Sequence, residues 1–511
     1  MLTRDIMLRR AALLAALLPV LACSASGDSG DEGDDDAAAL QVGGGAWDAQ
    51  AEAEYGAFIA RIGEARAAGK CTTLNACVDD PAINPYRAPT DAKLDLFADC
   101  ADVPMELRAY FATKTRRAFK FVSAVASDHD IPGQPPPEGE DLRYTSGNHP
   151  IAWSTAAGSK TMQRFMSKVS ASVHSGFFRM APEVEDSDTY PIKPSRASLR
   201  PGTVYYDPNG HVLVVYRVDA DGTIWTFDGH PDNSLTFGRF TEGAYALGGR
   251  AQGGGFRNFR PTRVEAGTLV SLTNAELSDY GDNQYGHGTG YFDWIRVSLG
   301  GTPSPPEEKL GALLDQLCLD LGARATAVDA AHALSEGPLG PIPPNIYGAT
   351  GDWEAFSTPG RDARLRGSFR NARALVLKAL AAASPSAKPA VARALGKAWQ
   401  KRASSPACVT RYTNGAGAEV RLTLADVQAR IYDLSFDPYH CVEMRWGAVG
   451  ATAEAATCPT RDAEHLARYD DERRNRNVID RSPVGTTGPD YGPDQPEDID
   501  VRKLLAESGA F

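Results

Sequence analysis

Three residues in this chain have the types that nucleophilic catalysis needs, in the order Cys100, His211, Asp228. A thiol attacks a carbonyl only as thiolate, so it needs a base to take its proton. An imidazole is the side chain suited to that task near neutral pH, and a carboxylate can fix its tautomer and orientation. His230 is the competing third member, because it shares the strand parity of Asp228.

The elements that must position these residues can be read from the surrounding pattern. Cys100 lies in FADCADVPMELRAYF, where Val103, Leu107, Tyr110 and Phe111 recur at helical spacing. Pro104 is tolerated only in the first turn of a helix, so the helix starts near Ala101 and Cys100 sits at its N-terminal end. There the helix dipole favours thiolate, and the N–H of Cys100 can face an oxyanion. His211 follows the turn Asp-Pro-Asn-Gly and opens the strand HVLVVYRV; a second turn, Asp219 to Gly222, leads into a strand from Thr223 to Asp228. An antiparallel pair folded about that turn brings Asp228 beside His211.

Asp99-Cys100, Leu199-Arg-Pro-Gly-Thr-Val204, Gly210-His211-Val212 and Asp228 together resemble the NlpC-like and CHAP-like cell-wall cysteine peptidases of the papain-like superfamily. The resemblance covers roughly residues 90–265 and implies an α+β fold in which the nucleophile's helix packs on an antiparallel sheet that carries the base. It implies amide hydrolysis in peptides of the cell wall, with Cys100 as nucleophile, His211 as general base and then acid, and Asp228 as orienter. It calls for no metal or other cofactor. The chain departs from the family in its longer Cys-to-His spacing, which makes 128–198 an insertion, and in Ala101-Asp102 where Ser-Gly is usual. Asp-Cys-Ala-Asp before an apolar helix also resembles the transglutaminase-like core, which uses the same triad for acyl transfer to an amine. A decayed, non-catalytic envelope scaffold is the alternative outside enzymology.

The rest of the chain sets the context. Residues 1–22 read as an export signal, and Val20-Leu21-Ala22-Cys23 resembles a bacterial lipobox. Cys23 is then the lipidated N-terminus, the acidic stretch 23–46 a flexible tether, and the outer membrane the expected location. The formal net charge of −12 argues against nucleic acid as a partner and leaves the lipid anchor as the contact with membrane. A peptide or peptidoglycan-like substrate is the expected partner. The papain-like domain is expected over 47–301, a linker over 302–308, a mainly helical C-terminal domain over 309–470 and a polar, partly disordered tail over 471–511.

The eight cysteines fit an oxidising compartment. Cys71 and Cys77 are spaced to close a small loop, and two of Cys408, Cys441 and Cys458 are expected to pair. Cys318, in the apolar helical stretch LGALLDQLCLDLG, reads as a buried thiol. His149, His174, His211, His230 and Asp232 show no metal-ligand spacing, so no metal site is assigned. WEAFSTPGRDARLR, at 353–366, mixes aromatics with arginines and is read as a helix start capped at Thr358-Pro359.

Overall fold

Asp48 starts the first helix by accepting a hydrogen bond from the N–H of Ala51 at 2.8 Å. This computed structural model describes residues 43–511, apart from 98, 129–141, 144, 336, 344–345, 347–348 and 473–497. The signal and lipobox at 1–23, most of the tether, most of the Pro-rich stretch after Asp128, and the front of the tail lie outside the described residues.

The fold is mixed α/β with antiparallel sheets. α1 (Ala49–Ala67) buries Ala51, Tyr55, Phe58, Ile59 and Ile62, a one-sided stripe. After the short α2 (Leu74–Asp79), α3 (Asp102–Lys114) carries Pro104 in its first turn. β1 (Phe121–Ala126) then pairs with β2 (His149–Ser154), and α4 (Met162–Ser170) follows. The main sheet holds β3 (Thr189–Pro191), β4 (Val204–Asp207), β5 (His211–Val218), β6 (Ile224–Gly229), β7 (Leu235–Arg239) and β8 (Gly255–Phe259), in the order β3-β8-β4-β5-β6-β7. Every pairing in it is antiparallel.

Strand alternation divides the core. Val204, Tyr206, Val212, Val214, Tyr216 and Phe227 face the cluster built by α1 and α3. Tyr205, Leu213, Val215, Ile224 and Phe256 face the opposite cluster, which includes Tyr291 and Ile295 of α5 (Tyr291–Ser298). Gly63 allows α1 to lie flat on the sheet, since a Cβ there would stand 2.2 Å from the Tyr216 ring.

The C-terminal half is helical, with α6 (Pro306–Ala330), α7 (His332–Ser335), α8 (Asp352–Phe356), α9 (Pro359–Ala382) and α10 (Lys388–Ala403). Residues Ala39–Phe511 form one compact unit. The Pro-rich stretch 302–308 runs into the first turn of α6, where Glu308 pairs with Arg239 and Arg296 at 3.0 and 2.9 Å.

Several sequence expectations change. Cys318 is not a thiol: it is bonded to Cys408, which ties α6 to a distant loop. Its apolar setting hid a partner 90 residues away. The other disulfides are Cys71–Cys77 and Cys441–Cys458. Between His149 and Met180 the chain first joins the β1 ladder over His149–Ser154, then forms α4 and a 3-10 turn at Ser175–Phe178. After the main sheet comes the hairpin β9 (Thr262–Glu265) and β10 (Thr268–Ser271), and the chain then turns helical. Within the polar tail, Val501–Glu507 is a helix that buries Val501 and Leu505. No helix among the described residues is long and apolar enough to cross a membrane.

Candidate functional site

The turn before β5 brings the thiol to the histidine strand. Gly210 holds φ +84°, a conformation that strains any residue with a Cβ, and its N–H closes the turn on the Asp207 carbonyl at 3.0 Å. The β5–β6 ladder begins only at Val214↔Phe227, so the first residues of β5 keep backbone groups for other partners. Cys100 takes them. Its Sγ donates to the Gly210 carbonyl at 3.9 Å, and the Val212 N–H points at the sulfur. The thiol therefore flanks His211 along the backbone, on both sides. No hydrogen bond joins Cys100 to the His211 ring among the described residues.

Cys100 is half-buried and is the free cysteine of the described residues. Burial pushes its pKa up, Asp99 adds to the rise, the Val212 N–H partly offsets it, and Asp228 and Asp102 raise it again. This departs from the activation expected at a helix N-terminus, and burial followed by Asp99 is the reason. Its Oδ1 accepts the N–H groups of Ala101 at 2.7 Å and Asp102 at 3.0 Å. The free donors that would have favoured thiolate are already held by a carboxylate.

The histidine side is built in the opposite sense. His211 Nε2 lies 2.7 Å from Asp228 Oδ2, and Asp228 is almost fully buried. Burial alone would raise the Asp228 pKa. The hydrogen bond and charge of His211, together with His230 and Arg364, overcome that and hold it well below the usual carboxylate range. The ionised carboxylate only accepts, so the proton of a neutral His211 resides on Nε2 and the lone pair on Nδ1. Nδ1 is thus the nitrogen left to take a proton from the thiol.

Thr236 and His230 complete this side. Thr236 stands directly across from Asp228 in the β6–β7 ladder and donates its hydroxyl to Asp228 Oδ1. His230 Nε2 is 3.1 Å from Thr236 Oγ1 and 3.5 Å from Asp228 Oδ2, with its ring 6.3 Å from that of His211. Burial, then the neighbouring Arg361, push the His230 pKa down, against the raising effect of Asp228. Of the two candidates for third member, Asp228 touches His211 and His230 touches Asp228.

The segment 352–371 supplies residues that no pattern in the sequence assigned to the site. Arg361 forms an ion pair with Asp232 at 2.7 Å, beside His230. Arg364 lies within electrostatic reach of Asp320, Asp228 and Asp207. Glu354 on α8 acts in the opposite sense, a like charge that adds to the rise in the Asp102 pKa and is itself raised by burial and by Asp99. The Arg-rich run is a helix start with Pro359 as its first residue, although the Thr358 side chain does not cap it, and it also forms a wall of the site.

The other histidines lie elsewhere. His149 is exposed on β2, its Nδ1 2.9 Å from the Gly147 carbonyl, and His174 caps a short turn by accepting the Gly176 N–H at 3.2 Å. Among the described residues, two other groups have ligand-type atoms within 4.8 Å of one another. In Cys441–Glu443–Cys458 the cysteines are bonded together, and in Asp437–His440–Glu472 Arg468 already pairs with Asp437 at 2.6 Å.

The arrangement places a thiol, an imidazole with a free Nδ1 and a buried anionic orienter around the first turn of β5, without a preformed thiolate. No protein-family model matches this chain, and no curated protein or solved structure matches it.

Proposed function

We propose that this chain is a papain-like cysteine hydrolase that cleaves amide bonds in cell-wall peptides from a lipid anchor at Cys23. The observation that carries the reading is the His211–Asp228 contact of 2.7 Å, made beside a free thiol that borders His211 at Gly210 and Val212. Because the thiol is protonated at rest, its proton leaves the Gly210 carbonyl and passes to His211 Nδ1 as the sulfur attacks. A C–S bond forms, the carbonyl electrons move to oxygen, and the Cys100 N–H donates to the oxyanion. Collapse breaks the C–N bond, and the amine leaves with the proton from His211. Water then attacks the thioester, gives a proton to His211 and releases the carboxylate product and the thiol. Asp228 stabilises the imidazolium in both halves without taking its proton.

The test uses the full chain with isolated cell-wall peptides, analysed by mass spectrometry. Wild type is expected to release new amine termini, and Cys100→Ala to reduce turnover by about 10³-fold or more. Iodoacetamide under non-reducing conditions should label Cys100 and inactivate in proportion. Undiminished turnover in Cys100→Ala overturns the reading. Products formed with and without an added primary amine separate hydrolysis from transglutaminase-like transfer. The missing Cys100–His211 hydrogen bond favours a second reading, a non-catalytic scaffold, and full biological function in Cys100→Ala would support it.

A further inference from the structure

One face of α9 lies against the histidine side of the site. Gly360, Ala363 and Gly367 are small residues on that face, and with His211, Asn209 and Tyr245 they leave a cavity of about 170 Å³. That is below the roughly 300–1,000 Å³ of pockets that hold a whole small ligand, and it suits a single side-chain-sized group. A Cβ at Gly367 would meet nothing within 4 Å, so the helix leaves this space open at that position.

The charge of Arg364 is balanced at a distance by Asp320, Asp228 and Asp207, but the hydrogen-bonding groups of the cavity are not matched. Asp207 accepts the N–H groups of Asn209 and Ala246, each at 2.9 Å, so both its oxygens are engaged. Arg364 makes no hydrogen bond among the described residues and has one distant ion pair, at 4.0 Å, with Asp320. A guanidinium carries five donors in a planar fork that fits a carboxylate. Arg370, which is exposed, adds a second positive group to the lining, and the Ser368 hydroxyl adds a neutral donor.

We infer that Arg364 and the open face of α9 form a subsite for a carboxylate on the substrate, next to the bond presented to His211. The inference rests on the hydrolase reading for the words "substrate" and "bond", while the subsite itself is a binding property. The preferred substrate is then an acidic amide, one that bears a free carboxylate within a side-chain's length of the scissile carbonyl. The helical half contributes specificity to a reaction whose chemical groups all lie on the sheet half.

Binding of glutarate and of its uncharged diamide to the full chain, followed by NMR or calorimetry, tests this. Wild type is expected to bind glutarate and to bind the diamide at least about tenfold more weakly. Arg364→Gln should weaken glutarate binding by about tenfold or more. Gly367→Leu, which fills the space and suits a helix better than glycine, should do the same even if Arg364→Gln proves unstable. Cys100→Ser should bind glutarate as wild type does, so the subsite is judged apart from any failure of hydrolysis. No glutarate binding by wild type, equal binding of the diamide, or unchanged binding in Gly367→Leu would overturn the inference.

Discussion

The two sides of the candidate site are prepared in opposite ways. On the histidine side a buried carboxylate is kept ionised by His211, His230 and Arg364 and held in place by Thr236. On the thiol side burial pushes Cys100 towards the neutral form, and the carboxyl groups of Asp99 and Asp102 on its own segment and Asp228 across the gap push the same way. The fold readies the base and leaves the nucleophile at rest. Thiolate then forms only when the proton moves to Nδ1 during attack, which also limits adventitious oxidation, since reactivity of that kind follows thiolate character.

The largest effect should come from breaking the prepared side. Asp228→Asn keeps size and shape but loses the charge that fixes the Nε2 proton and stabilises imidazolium. A fall in kcat of about 10² to 10⁴-fold is expected, with a circular dichroism spectrum unchanged. If kcat falls by less than about threefold, His211 does not depend on this carboxylate and the contrast between the two sides loses its stronger half.

A smaller effect of opposite sign should come from the resting side. Asp99→Asn removes the nearest charge raising the Cys100 pKa but keeps an oxygen able to cap α3. At neutral pH the thiolate fraction should rise, and iodoacetamide should react about three- to tenfold faster than with wild type, a tenfold gain corresponding to one pKa unit. In wild type the rate should keep climbing through the alkaline range, because the folded thiol titrates above its ordinary value. A wild-type rate that levels off near pH 7 would mean an activated thiol and would contradict the asymmetry.

The extent to which the site is legible in the sequence follows from how local each signal is. Pro104 places the helix start within a few residues of Cys100. The Asp219–Gly222 turn places His211 and Asp228 on neighbouring strands, but the register shift between Val215 and Arg217 is what puts both side chains on one face, and alternation alone does not announce it. Local patterning also locates the hairpin strands. What escapes depends on long-range contact. The Asp99 cap competes with the thiol for the same helix terminus, and nothing in the helical spacing announces it. Thr236 becomes visible once the β6–β7 register is known. Arg361 and Arg364 come from a helix more than a hundred residues beyond Asp228, so their role needs the docking of the helical half. Cys318 pairs across 90 residues, a separation that carries no sequence signature.

The smallest predicted effect concerns stability, and it tests whether the two sides respond to pH with opposite sign. Glu106 lies one turn after Asp102 on α3, and both are almost fully buried. Burial raises the pKa of Glu106 well above its ordinary value, and Asp99 and Asp95 add to this against a partial offset from the Phe97 N–H. The folded chain therefore holds a proton that the unfolded chain releases from about pH 4.5 upward. Stability from this group is complete below that pH and is lost as pH rises towards the folded pKa, at about 1.4 kcal/mol per unit. Asp228 works the other way: its folded pKa is depressed, so its contribution is present at neutral pH and is lost as pH falls below the usual carboxylate range. Glu106→Gln should flatten the decline in urea-unfolding free energy between pH 5 and pH 8, whereas Asp228→Asn should flatten the decline on the acid side. If Glu106→Gln instead leaves the alkaline slope as steep as in wild type, Glu106 is not protonated in the fold and the two sides do not respond to pH with opposite sign.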